Sequence, residues 1–130
     1  MGLTEVASRA VRGRDLAQNT PIANLFVIPS GRPLQSPSAL YHEPIAGLIA
    51  DLRREFRYVM LDCSPVDRYS DAAFMAPRVD GIVVVVRSRV TRIEVAVKTK
   101  RQLEWAGGKV IGTVLNAQKN YIPFLLQRFL

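Results

Sequence analysis

The run Arg57-Tyr58-Val59-Met60-Leu61-Asp62-Cys63-Ser64-Pro65 sets an aspartate at the end of a short apolar stretch. A carboxylate at the carboxyl end of a buried strand is the Walker-B pattern. It holds Mg²⁺, usually through water, and the ion screens nucleotide phosphates. An apolar run ending in aspartate also serves ordinary turn chemistry, so the pattern draws its weight from its neighbours. Asp80-Gly81 leads into a second apolar run, Ile82–Val86, and a third, Val110–Leu115, ends on Asn116. Arg87, Arg89 and Arg92 surround the segment after Ile82–Val86, where a phosphate group and plain solvent are both suitable partners.

Other reactive side chains have simpler readings. Cys63 is the sole cysteine, which excludes an internal disulfide framework and a Cys-rich zinc site. Asp62 beside it disfavours the thiolate, so Cys63 reads as a small packing residue. His42, the sole histidine, stands between Tyr41 and Glu43-Pro44 with no second metal ligand or nucleophile spaced around it, and reads as a helix-entry residue. Arg53-Arg54 and Lys98, Lys100 and Arg101 read as solvated helix faces.

The elements that must position these groups follow from periodicity. Leu25–Ile28, Tyr58–Leu61, Ile82–Val86 and Val110–Leu115 are continuous apolar runs, the mark of strands buried on both faces of a parallel sheet. Ile45, Leu48, Ile49, Leu52 and Phe56 fall at i, i+3, i+4, i+7 and i+11, one stripe of an amphipathic helix. Thr91 and Glu94 have capping-box spacing at the start of a second helix, which runs toward Trp105 and stops at Gly107-Gly108. A short helix is expected at Ser70–Met75. The order β, α, β, α, β, α, β predicts an α/β fold with a mainly parallel sheet flanked by helices. Three prolines make 29–37 a loop at the carboxyl end of the first run, with Ser38 a plausible helix cap; ligand contact and mere connection are equally open for it.

Composition bounds the function. The 130 residues suit one domain, with a hydrophobic fraction of 48% that excludes a disordered or fibrous chain. No apolar run reaches the length of a membrane span, and Met1–Arg14 does not read as a signal peptide, so the default address is cytoplasmic. A net charge of +7 favours anionic partners in general. Scattered bases and an aromatic content of 8% give little support to a nucleic-acid platform.

In order along the chain stand Gly2-Leu3-Thr4-Glu5-Val6, Val27-Ile28-Pro29-Ser30-Gly31, Ser36-Pro37-Ser38-Ala39-Leu40, Tyr58 to Val66, Ser70-Asp71-Ala72, Val79-Asp80-Gly81 and Gly112 to Asn116. Together they resemble the cytoplasmic ATPase domain of bacterial tyrosine autokinases that regulate capsule and exopolysaccharide assembly, within the MinD/ParA-like P-loop ATPases. The resemblance implies a partial P-loop NTPase, Rossmann-like fold over residues 1–130, with ATP and Mg²⁺ as cofactors. It makes Asp62 the metal-associated carboxylate and Asn116 the residue that hydrogen-bonds the adenine edge. Asp71 matches a recurrent acidic position without an assigned role, and no residue is assigned to catalysis.

The resemblance also shows departures. No G-x-x-x-x-G-K-[ST] occurs in these residues, and Gly107-Gly108-Lys109 has the wrong spacing. The family loop Asp-Thr-Pro-Pro reads Asp62-Cys63-Ser64-Pro65 here, and the Asn-Pro-x-Glu-like segment reads Ser36-Pro37-Ser38-Ala39. The missing strand would lie between Tyr58–Leu61 and Ile82–Val86, and both would lose a shared neighbour. The expectation is a partial ATPase domain, a fragment or truncated frame, inactive alone. The alternative is an interaction module for a polysaccharide copolymerase, membrane adaptor or the inner face of the membrane. A chain supplying the P-loop and a second copy are the other partners implied. Tyr121, Ile122, Leu125, Leu126 and Phe129 share one helical face, giving 121–130 as either a docked last helix or an amphipathic membrane contact. Tyr121 reads as a core or interface residue before a phosphorylation site.

Overall fold

In chain order the first unit, Met1–Asp62, carries helices α1 (Leu3–Val6) and α2 (Gly13–Leu16), strands β1 (Gln18–Asn19) and β2 (Phe26–Val27), and helix α3 (Glu43–Glu55). The second, Cys63–Leu130, carries helix α4 (Asp71–Met75), a 3-10 turn (Ala76–Arg78), strand β3 (Ile82–Arg87), helix α5 (Ile93–Trp105) and strand β4 (Val110–Asn116). The computed structural model describes residues 2–6, 13–31, 43–66 and 68–119. Ser36–Leu40, His42, Tyr121 and the whole of 121–130 lie outside the described residues.

The first unit is built on the expected stripe. Ile45, Leu48, Ile49 and Leu52 are 4–6% exposed on α3, and each buried side chain of this kind contributes roughly 1.5–3 kcal/mol. Leu48 and Leu52 close on Leu16 of α2, with Leu3, Ile28, Phe56 and Val59 packed against that cluster. Gly13 permits the approach: a Cβ there would lie 2.9 Å from Leu48 Cδ1 and 3.0 Å from Leu52 Cδ2. The Phe26 and Phe56 rings meet edge to face at 5.2 Å.

Two expected strands differ. Leu25–Ile28 contracts to Phe26–Val27, which pairs antiparallel with β1 and is exposed. The reason is local. The Thr20 hydroxyl donates to the Leu25 carbonyl at 2.9 Å and accepts from the Ile22 amide at 3.2 Å. Asn24 takes a left-handed φ of 62°, so the chain reverses onto itself before a parallel partner is needed. Tyr58–Leu61 is not a strand. It makes no ladder among the described residues, and Tyr58 and Met60 are 80% and 96% exposed. An apolar run becomes a buried strand only where neighbouring strands satisfy its backbone groups and cover its faces.

The second unit holds the parallel pair. β3 and β4 align from Ile82↔Val110 to Arg87↔Asn116, with a register irregularity after Ile82 and α5 as the crossover. This is one βαβ unit of the expected kind. Leu103 of α5 and Ala76 are each 1% exposed and form its interior. Along β3, Ile82, Val84 and Val86 are half-buried while Val83 and Val85 are 50% and 63% exposed. The strand expected to be covered on both faces is thus covered on one.

Capping of α5 also departs from the sequence. Arg92, not Thr91, is the N-cap, and it makes no side-chain cap bond. The Thr91 hydroxyl instead accepts from the Arg87 amide at 3.3 Å, closing the β3–α5 turn. The C-terminus follows expectation. Gly107 donates to the Glu104 carbonyl and Gly108 to the Leu103 carbonyl, a Schellman arrangement with Gly107 at φ 89°. A Cβ on Gly108 would sit 2.6 Å from Ile82 Cδ1 and 2.8 Å from Ala76 Cβ. Gly108→Ala is therefore expected to cost about 1–3 kcal/mol through overpacking, and Gly107→Ala about 1–2 kcal/mol through backbone strain. Urea unfolding followed by far-UV circular dichroism measures both.

Candidate nucleotide-binding site

β3 and β4 end side by side, and the carboxyl ends of parallel strands are where open α/β sheets hold ligands. There Arg87 faces Asn116 in register, and the Ser88 amide donates to the Asn116 carbonyl at 2.9 Å. The Val90 and Thr91 amides both donate to the Arg87 carbonyl, at 3.3 and 3.0 Å, and Arg89 adopts a left-handed φ of 64°. Arg87, Arg89 and Arg92 are exposed at this end.

Asn116 is exposed, and its Oδ1 accepts from the Ala117 amide at 2.7 Å. Ala117 has a φ of 55°, a left-handed turn that the side-chain bond supports. One lone pair of the carboxamide is thereby used and its orientation fixed. The Nδ2 donors and the second lone pair of Oδ1 stay outside that bond, the complement a purine edge requires.

Asp62 is exposed at the end of the first unit, whereas Asn116 belongs to the second. Among the described residues no group of three or more His, Cys, Asp or Glu side chains gathers to hold a metal. Asp62 offers an exposed carboxylate, the kind of group that can hold Mg²⁺ which keeps waters and takes further oxygens from phosphate. Cys63 is exposed, which corrects the packing role expected of it. Asp71 is half-buried as the first residue of α4. Sequence reasoning missed one junction: the Pro29 and Ser30 carbonyls accept from the Leu3 and Thr4 amides at 2.8 and 2.9 Å. This joins the Gly2–Val6 and Val27–Gly31 segments into one backbone feature, with Gly2 against the Pro29–Gly31 backbone where no side chain fits.

No protein-family model matches the chain. It is 31% identical over 116 residues to the tyrosine-protein kinase CpsD of Streptococcus agalactiae, a match covering 88% of this chain and 51% of that protein. The chain is a homologue of bacterial capsule tyrosine-protein kinases. It spans about half the length of such relatives. Among solved structures, the kinase domain of VpsO superposes with a TM-score of 0.82 at 24% identity, covering 91% of this chain and 59% of that one. The chimerical protein CapA2B2 gives 0.82 at 28% identity, covering 92% and 53%. The agreement in fold extends over nearly all of this kinase homologue and over little more than half of each counterpart. Among the described residues no helix is long and apolar enough to cross a membrane.

Proposed function

We propose that this chain is the part of an ATP-dependent tyrosine-kinase domain of capsule or exopolysaccharide biosynthesis that supplies the metal-associated carboxylate and the base-recognition edge. Its two units belong to one partial ATPase-like domain completed by a segment carrying the phosphate loop. The observation that carries this reading is the asymmetry of the superposition: 92% of this chain against 53% of the CapA2B2 chain, at 28% identity. The exposed valines of β3 and the unladdered Tyr58–Leu61 run agree with it, since a further strand would supply the missing ladder and the helix that follows such a strand would cover a sheet face.

The chemistry divides accordingly. Asp62 fits a carboxylate that holds hydrated Mg²⁺, and bound Mg²⁺ supplies charge neutralisation at the phosphates. Asn116 fits the adenine edge through its Nδ2 donors and remaining lone pair, and Arg87, Arg89 and Arg92 offer positive charge at the same sheet end. No G-x-x-x-x-G-K-[ST] occurs in these 130 residues, so the phosphate cradle is assigned to another segment. The partner is a chain or segment supplying that loop, with a polysaccharide copolymerase as the further assembly partner.

The test is titration of a fluorescent ATP analogue with Mg²⁺ into the folded chain, beside Asp62→Ala. No saturable binding by either protein is expected. Saturable, Mg²⁺-dependent binding that Asp62→Ala abolishes means that the chain assembles a phosphate site of its own, and the division of labour is wrong.

A further inference from the structure

The outer face of α5 has no place in the nucleotide site. Ile93, Val97, Arg101 and Trp105 recur at i, i+4, i+8 and i+12 along its 13 residues, a stripe about 20 Å long. Ile93 is 74% exposed, Val97 44% and Trp105 87%. The helix already satisfies the sheet with its opposite face, where Leu103 is buried and Ala96, Thr99 and Ala106 are half-buried. Trp105 is also the only tryptophan in the chain. A large aromatic in water at the end of an apolar stripe is a costly arrangement for a face that contacts nothing.

The charges beside the stripe select its partner. Exposed Lys98 and Arg101 lie among the apolar residues, exposed Arg92 precedes them at the N-cap, and the acids on that face are Glu94 and Glu104. Lys100 is paired with Glu104 at 3.2 Å, so those two charges offset each other. The chain as a whole carries +7. A second copy brings the same positive charge to the contact, which opposes self-association. Duplex nucleic acid satisfies the bases and leaves Ile93, Val97 and Trp105 unused. An anionic lipid surface uses both components: apolar side chains and an interfacial tryptophan enter the headgroup boundary while lysine and arginine meet phosphate.

We propose that the outer face of α5 docks the chain peripherally on anionic lipid, through Ile93, Val97 and Trp105 with Lys98 and Arg101 as electrostatic contacts. This rests on the α5 surface and not on the kinase reading. Because Trp105 is the sole tryptophan, its emission reports the contact directly. Phosphatidylcholine vesicles with and without phosphatidylglycerol are titrated into the full chain, with co-sedimentation alongside. The anionic vesicles are expected to shift Trp105 emission to shorter wavelength and to pellet the chain, and the neutral vesicles to do neither. The Lys98→Gln/Arg101→Gln double variant is expected to weaken partitioning about thirty-fold at roughly one kcal/mol per removed charge. Val97→Glu is expected to abolish the shift. Both variants alter exposed positions and are expected to keep the wild-type far-UV dichroism and urea midpoint. The proposal is overturned by no shift with anionic vesicles, by an equal shift with neutral ones, or by unchanged partitioning of the folded variants. A concentration-dependent shift without vesicles, with doubled mass in light scattering, overturns it in favour of a second copy.

Discussion

Leu103→Ala is expected to lower the stability of the second unit by about 2–5 kcal/mol, the range for deleting a fully buried leucine side chain with incomplete collapse around it. Leu103 is 1% exposed and is one of the two largest fully buried side chains among the described residues, so its removal opens a cavity in the interior. A small domain has only a few kcal/mol to lose, and the variant is expected to be substantially unfolded at room temperature. Leu103→Met, which conserves volume, is expected to cost less than about 1.5 kcal/mol. Trp105→Ala, two residues along the same helix, is expected to stay within about 0.5 kcal/mol of wild type because the indole is exposed. Urea midpoints by far-UV circular dichroism separate the cases; Trp105 emission is a poor unfolding probe at that exposure. A Trp105→Ala loss as large as that of Leu103→Ala contradicts the assignment of inner and outer faces to α5.

The contrast between those positions is one that sequence periodicity reveals only in part. The α3 stripe from Ile45 to Leu52 and the Gly107-Gly108 stop of α5 are legible because each depends on residues within a few turns. β3 and β4 are legible for a similar reason: β-branched runs joined through a single crossover helix find each other within one unit. Tyr58–Leu61 shows the limit. Its composition is that of a buried strand, but strand formation depends on a neighbour, and composition does not say whether the neighbour is present. Phe26–Val27 fails differently, since the Thr20 hydroxyl bonds that make the hairpin involve a residue whose turn role no apolar pattern registers. At the candidate site, the ends of the runs locate Asp62 and Asn116. The Asn116–Ala117 bond and the use of Thr91 on Arg87 emerge only from geometry.

The second large effect concerns Asp62. In a domain completed with a phosphate-loop segment, Asp62→Ala is expected to reduce Mg²⁺-dependent nucleotide affinity by about a hundred-fold or more, the order expected when a charge-assisted metal contact is removed. Asp62 is exposed, and its substitution is expected to leave the urea midpoint within about 0.5 kcal/mol of wild type. Affinity in EDTA is expected to be equally low for both proteins, because the carboxylate acts through the ion. A variant that loses affinity equally with and without Mg²⁺ assigns Asp62 to positioning of the loop instead.

The most direct measurement mixes the purified chain with the portion of Streptococcus agalactiae CpsD that its match does not cover, and follows Mg²⁺-ATP binding and tyrosine phosphorylation. Neither component alone is expected to show either activity. The mixture is expected to show both, with both lost on Asp62→Ala and the β3 amides that do not bond β4 protected from hydrogen exchange on mixing. Nucleotide binding by the isolated chain as tight as by the mixture, or a mixture in which the β3 edge stays unprotected, contradicts the account of this chain as the complement of a phosphate-loop segment.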